Sequence, residues 1–502
     1  MKQRFLGVSL LCCLSYVLNA QTFDITYQGT QAKVTVKNAE NTTWKVDGAH
    51  VKIKSFQKAT PLKLILHGHS DDGTLSVSCP AGASLELDNV NLTSQEGSPL
   101  AFKKNTPVAL IAKKNTENFL TVVACVDTAK HHSSVIFSKD NLTLSGKGKL
   151  TLLAKGDGCK GLNAKANLTI RDLTLNVQTL GDNLGEDTTQ VFPFGGGGPP
   201  PFHFNPDDIP EEVKQHFDEM RAKFEEMNKD NAFPVFPPFG EGMNMAPPFG
   251  KHNYIGTPKG IKAQGIITIE SGNISVTTTH AGGEGIEGKG GIVVNGGNVR
   301  VDAVDDGMNS NGNILFNGGS TAVISRTNDA VDANGRDAGA ITIADGQVFA
   351  FSQTGPPEEG FDCDFSPIVV KGGTCFSIGA GMGDMPSVPT AETAYQPTAL
   401  LVGLNTQVGQ RVEVCDSISG KVLFRFDAPF DFQHSSSLIS CPQFKKGRTY
   451  LVRSAGKEHA LPLSDMFTIV GRDGSQGGFG FGGFPPMGGF PPFGPRQHTV
   501  KE

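Results

Sequence analysis

Aromatic rings with a polar edge are scarce in this chain: 502 residues hold one tryptophan and five tyrosines. None of the nine cysteines forms a CxxC pair, which argues against a zinc ribbon or a thioredoxin-like site. There is no G-x-S-x-G, no HExxH, no phosphate loop and no Cys/His nucleophile arrangement. After the first twenty residues no stretch is apolar enough to span a membrane. A basic excess is also missing. The formal charge is −6, and −8 without Lys2 and Arg4, which makes nucleic acid an unsuitable partner. Helical periodicity is nearly absent outside one insert.

What is present suits β-structure with many tight turns: 62 glycines, with abundant Asn, Thr and Val. Residues 1–20 read as a signal peptide, with Lys2 and Arg4 before the apolar run Phe5 to Leu18 and a small residue, Ala20, before the cut. Cys12 and Cys13 raise the rival of a lipid anchor, but lack the small residues before them that such a site needs. The reading is a protein exported to the cell surface or beyond. Export permits disulfides, with Cys415–Cys441 and Cys363–Cys375 as plausible pairs.

Six segments share one grammar: KGLNAKANLTI from Lys160, KGIKAQGIITI from Lys259, EGIEGKGGIVV from Glu284, DGMNSNGNILF from Asp306, DAVDANGRDAGAITI from Asp329 and EGFDCDFSPIVV from Glu359. Their apolar anchors are Leu162, Ile261, Ile286, Met308, Val331 and Phe361, and from the second segment the steps are 25, 22, 23 and 30 residues. Spacings of this size, with several short strands per repeat, predict coils of a parallel β-helix whose stacking completes one core. An all-β sandwich is the competing fold.

The expected organisation is an N-terminal cap and first coils over 21–190, an insert over 191–258, further coils over 259–385, a small antiparallel β-domain over 395–470 and a tail over 471–502. The insert is Gly/Pro/Phe-rich around one amphipathic helix, 210–229, whose stripe is Val213, Phe217, Met220, Phe224 and Met227. That helix docks on the coils or serves as a lid or partner-binding element. The tail, GGFGFGGFPPMGGFPPFGP, has the composition of disorder or of a surface linker.

Stacked coils lie about 4.8 Å apart, so equivalent residues form columns. One column contains Glu284, Asp306, Asp329 and Glu359; another, three residues on, contains Glu287, Asn309, Asp332 and Asp362. Asp302, Asp305, Asn328, Asp337, Glu358 and Asp364 are close in sequence. Turns favour Asp and Asn singly, but like charges on adjacent strands are destabilising. Two acidic columns over four repeats therefore point to a bridging cation. Calcium fits, since it takes six to eight oxygen ligands, and no His or Cys shares these positions. Lys160 and Lys259 stand in the first column of the two preceding segments, where the site should end or the amines act as counter-charges. His67 and His69, with His131 and His132, read as exposed turn residues. The NxT triplets at Asn41, Asn91, Asn141 and Asn167 read as chance products of Asn/Thr-rich strands.

The run KGIKAQGIITIESGNISVTTT, EGIEGKGGIVVNGGNVRV, DDGMNSNGNILFNGG and NDAVDANG resembles secreted bacterial carbohydrate-binding domains with a right-handed parallel β-helix, related in fold to pectate lyases. PTALLVGLNTQVGQRVEVCDSISGKVLFRF and SSLISCPQFKKGRTYLVRS resemble the small β-domain that follows the helix in that family. The resemblance covers roughly residues 137–470 without the insert. It implies calcium on the acidic turns, carried onto the eight column residues above, and recognition of polysaccharide, acidic and pectin-like or cellulose-like. The lysine-bearing segments and Ala330, where glycine is expected, depart from the pattern. The alternatives are a calcium-dependent polysaccharide lyase, with Lys289, Arg300, Arg326 or Arg336 as base, and a structural adhesin stiffened by calcium.

Overall fold

Three short strands recur in each repeat, and each pairs in parallel with its equivalent one repeat further on. The computed structural model describes residues 21–104, 106–124, 134–180, 257–335, 339–354, 358–363, 366–379 and 387–471. The expected signal peptide, the insert as far as residue 256 with its helix, and the tail from 472 lie outside the described residues. All described regular structure is β, with no helix among the described residues. The strands form sheets of 23, 11 and 4 members.

The first ladder runs through Leu173–Thr179, Gly272–Thr278, Asn298–Ala303, Ser320–Ser325, Gln347–Ser352 and Thr374–Ile378, all parallel. A second runs through Leu168–Ile170, Ile266–Ile269, Gly291–Val294, Ile314–Phe316 and Ile341–Ile343. Both begin further back, where the 14-residue strand Ala83–Glu96 pairs by its first half with Val108–Ala112 and by its second with Glu117–Ala124. The third ladder extends from His50–Ser55 through Lys160–Ala164, Lys259–Ala263, Glu284–Gly288, Met308–Ser310 and Val331–Ala333 to Phe361–Asp362. Parallel pairing throughout these ladders excludes the antiparallel sandwich for this region. At the N-terminal end, Gln31–Lys37 and Thr42–Asp47 are antiparallel edge strands.

Each ladder contributes one apolar row to a shared core. In the third ladder Leu162, Ile261, Ile286, Met308, Val331 and Phe361 are successive register partners, none more than 2% exposed. A second row explains the glycine that precedes each anchor. A Cβ on Gly161, Gly260, Gly285 or Gly307 would lie 2.2–2.3 Å from a methyl of Val177, Val276, Val301 or Val323, and those four valines are themselves aligned. The repeat that carries Ala330 places Ala350 next in the valine row. A methyl gained on one strand is matched by methyls lost on the facing strand, so the departure at Ala330 is a volume exchange.

Beyond the ladders, Phe432–Ser440 pairs antiparallel with both Thr374–Ile378 and Thr398–Thr406. Phe467–Val470 adds in parallel to Thr398–Thr406. A separate antiparallel sheet orders Val422–Asp427, Arg411–Asp416, Arg448–Ser454 and Lys457–Leu463. The two share an apolar cluster that includes Phe351, Phe376, Leu401, Val414 and Tyr450. Phe426 lies against Phe349, Phe351 and Phe376, with ring centroids 4.5–5.5 Å apart, an arrangement typically worth more than the buried area alone.

The expected disulfides do not form. Cys363, Cys375, Cys415 and Cys441 are all buried free thiols. Cys415 lies on the four-stranded sheet, whereas Cys441 directly follows the strand that pairs with Thr374–Ile378. The sulfur of Cys363 accepts a hydrogen bond from the Ile341 amide. Cys159, by contrast, is disulfide-bonded.

The glycine–valine row gives a direct test. Gly307→Ala should lower unfolding free energy by about 1–3 kcal/mol through overpacking. Because the Ala330–Ala350 exchange already exists, adding Val323→Ala should recover part of that loss. Urea midpoints of the two single variants and the double variant measure the coupling, and additive losses would contradict it.

Candidate functional site

Two polar rows flank the apolar row of the third ladder, three residues apart, and their side chains meet. Asn309 Nδ2 donates to Asp306 Oδ2 at 2.6 Å within its own repeat and to Asp332 Oδ2 at 2.9 Å in the next. Register places Lys262, Glu287, Asn309, Asp332 and Asp362 in one column. The other column is aligned by backbone bonds that end on its own carbonyls: Gly285 N to Asp306 O, Gly307 N to Asp329 O and Ala330 N to Glu359 O, at 2.9–3.1 Å. All eight acidic or amide residues expected in the columns therefore lie on this one stripe. Seven of them are buried or nearly so, with Asp362 half-exposed at its end.

Charge along the stripe is graded. At its N-terminal end Lys160 and Lys259 occupy the first column. Lys259 pairs with Glu284, and Glu287 is held by Lys262 and Lys289, with Lys259 at 3.5 Å. Glu287 is buried, which pushes its carboxyl up, but the Lys259 charge and the hydrogen bonds from Lys262 and Lys289 outweigh this and leave it below the usual range. Glu284 is raised, first by burial, with only partial relief from Lys259.

Past Glu287 the lysines stop. Burial pushes Asp306 well above the usual carboxylate range, and the charges of Asp332, Asp305 and Glu284 push it further. Asp329 is raised in the same way, by burial and then by Asp362. Glu358 is raised by burial, Asp362 and Asp305. Asp306 Oδ1, Asn309 Oδ1 and Glu284 Oε2 are buried without a hydrogen-bond partner, and an oxygen so placed costs free energy until a donor or cation meets it. The outlying acids are spent elsewhere: Asp302 forms a two-pronged pair with Arg326, and Asp305 accepts from Asn328. Asp337 and Asp364 lie outside the described residues.

At the C-terminal end Ser387 closes the stripe. Its amide donates to Glu359 Oε2 at 2.7 Å and its hydroxyl to Asp362 Oδ1 at 3.1 Å, while Asp329 accepts from the Glu359 amide. Ser387 and Lys262 escaped the sequence reading. Lys262 had a signal, since KGIKA laid over EGIEG puts it on Glu287. Ser387 had none, because it lies 25 residues beyond Asp362 and outside the repeat.

A hard cation is served by oxygen donors, and the partnerless oxygens of Asp306 and Asn309 fit one. Against this, no three His, Cys, Asp or Glu side chains among the described residues converge closely enough to hold a metal ion. His67 lies 3.5 Å from both Asp24 and Asp88 and His69 pairs with Asp71, which accounts for them as polar surface. His131 and His132 lie outside the described residues. Of the candidate bases, Lys289 is engaged by Glu287 and Asn311 and Arg326 by Asp302; Arg300 is exposed on the first ladder, between Ser275 and Ala322 in register, and Arg336 lies outside the described residues.

Residues 47–191 and 250–396 match the family described as carbohydrate-binding domain-containing protein. Together they make up more than half of the chain, and the chain belongs to that family. No characterised protein sequence matches it. Among solved structures, a polysaccharide lyase-like protein from C. thermocellum, solved as a gadolinium derivative, is similar at 17% identity. The match covers 73% of this chain and 96% of that one with a TM-score of 0.36, a likeness too slight to carry an argument.

The charges predict an unusual pH response in the absence of divalent ions. A carboxyl whose folded-state pKa is raised stabilises the fold below its unfolded value, about 4, and loses that contribution as pH rises through the folded value. With chelator present, Asp306 and Asp329 should make stability fall as pH rises from about 4 toward neutrality. Asp306→Asn should flatten that fall and raise the neutral-pH melting temperature. Glu287 has the opposite sign: Glu287→Gln leaves Lys262 and Lys289 without their carboxylate and should cost about 3 kcal/mol at pH 7. Thermal melts between pH 4 and 8 read both.

Proposed function

We propose that this is an exported carbohydrate-binding protein that recognises polysaccharide, acidic and pectin-like or cellulose-like, along a calcium-binding right-handed parallel β-helix. The observation that carries the reading is the coincidence, in a chain of a carbohydrate-binding family, of buried acidic columns with partnerless oxygens on one stripe. Three parallel strands per repeat, each paired with its equivalent in the next, support the coiled architecture. The disulfide at Cys159 supports export, since such bonds persist in oxidising compartments. No helix among the described residues is long and apolar enough to cross a membrane.

Asp306, Asn309, Asp329 and Asp332 would hold the ion. With Glu284 and Glu287 already set against lysines, the cation belongs to the C-terminal part of the stripe. Calcium bound there supplies a positive charge and open coordination positions, which waters and sugar oxygens fill. The residues themselves keep the row rigid and limit water. A lyase is the less supported reading, because Lys289 and Arg326 are tied into pairs and Arg300 lies on the first ladder, away from the acidic columns.

A glycan array probed with purified protein, with calcium and with chelator, tests the reading. Retention of uronate-rich or cellulosic glycans that weakens at least tenfold in chelator is expected, with Asp306→Asn reproducing the loss in calcium. No retained glycan, together with calcium-dependent melting, would leave a structural adhesin instead. Unsaturated product absorbing in the ultraviolet from polygalacturonate would instead indicate the lyase.

A further inference from the structure

The N-terminal end of the stripe carries a surplus of positive charge that its own carboxylates do not use. Lys160 is 9% exposed, and its one hydrogen bond among the described residues is a long 3.4 Å contact to the Gly158 carbonyl. It has no ion-pair partner there. Register sets it directly beside Lys259, whose amine is committed to Glu284. Burial and the charges of Lys262, Lys259 and Lys165 bring the Lys160 amine down to about 8, so neighbouring cations repel it and the Glu287 charge only partly offsets them. Lys165, which directly follows the strand Lys160–Ala164, is exposed and is likewise lowered by burial and by Lys262.

The neutral groups here also lack partners. Ser134, the register neighbour of Lys160 on its other side, has a fully buried hydroxyl with no hydrogen bond. Asn163, three residues on from Lys160 and aligned with Lys262, has a buried amide oxygen with no donor facing it. Turning that amide over would present its NH2 group in the same place. Elsewhere on the stripe the partnerless atoms are carboxylate or amide oxygens; here an ammonium, a hydroxyl and an invertible amide gather instead. A buried unpaired ammonium costs several kcal/mol unless an anion meets it. Amines and hydroxyls are the donors that a planar or tetrahedral oxyanion takes.

We infer that Ser134, Lys160, Asn163 and Lys165, beside the Lys262–Glu287 pair, form an anion subsite for the acidic group, carboxylate or sulfate, of a glycan chain lying along the stripe. This rests on the reading of the stripe as the glycan-facing row. Unlike the acidic end, the subsite needs no metal. A chain bearing acidic groups would meet fixed amines at one end of the row and a cation at the other.

Calorimetric titration of the full-length protein at pH 7 in chelator tests it, with three probes of equal length: an oligogalacturonate, a sulfated gluco-oligosaccharide and a neutral gluco-oligosaccharide. Binding of one or both acidic probes, weakened by salt and absent for the neutral one, is expected. The acidic probe that binds tells carboxylate from sulfate. Lys160→Met should weaken that binding about tenfold, the loss of one charge-assisted contact. Lys165→Glu, on an exposed position that tolerates change, should weaken it comparably and keeps the test open should Lys160→Met fail to fold. Unchanged acidic-glycan affinity in either folded variant overturns the inference, as does equal binding of the neutral probe. The calcium-dependent retention reported by Asp306→Asn is read separately, so failure of the subsite and failure of the metal-linked reading give different results.

Discussion

In-register parallel pairing puts every side chain of the ladders against its equivalent one repeat away, about 4.8 Å distant. The packing and the charge of the ladders answer to that constraint. For apolar residues it is an advantage, because Leu162, Ile261, Ile286, Met308, Val331 and Phe361 become a continuous row without any single repeat needing its own core. For bulky neighbours it imposes complementary volumes, seen as glycine facing valine four times and alanine facing alanine once. For charged residues it is costly, since like must stand beside like.

The stripe shows how that cost is met. Lys160 and Lys259 stand in the first column before Glu284, and Lys262 stands in the second before Glu287, so the sign change itself supplies the ion pairs Lys259–Glu284 and Lys262–Glu287. After that the column stays acidic, and compensation by protein charge stops. Asn309 inserts an amide between Asp306 and Asp332, and Ser387 ties down Glu359 and Asp362 at the end. At the centre of the stripe, around Asp306, burial and the charges of Asp332, Asp305 and Glu284 act together with no lysine to offset them. The calcium proposed at this point and the acidic glycan group proposed at the lysine end would be two responses to one graded row of charge.

Much of this was legible in the sequence. The six-segment alignment places each apolar anchor on its register partner, because a repeat whose strands pair in parallel must keep its phase from one turn to the next. The two acidic columns follow from the same phase, which is why Glu287, Asn309, Asp332 and Asp362 could be aligned by letters alone. Residues that act across the repeat direction were not legible. Ser387 arrives from beyond the last repeat, and Lys289 reaches back to Glu287 from a turn. The thiol pairing expected for Cys415 and Cys441 failed for a similar reason: nearness in sequence says nothing about which sheet each residue joins.

The central claim is that the acidic end of the stripe is completed by calcium. A crystal structure of the full-length protein grown with calcium tests it most directly. The account predicts an ion bonded to oxygens of Asp306 and Asn309 at about 2.3–2.6 Å, with further oxygen ligands around it. Absence of an ion there, with Asp306 protonated and hydrogen-bonded within the column at neutral pH, would contradict it.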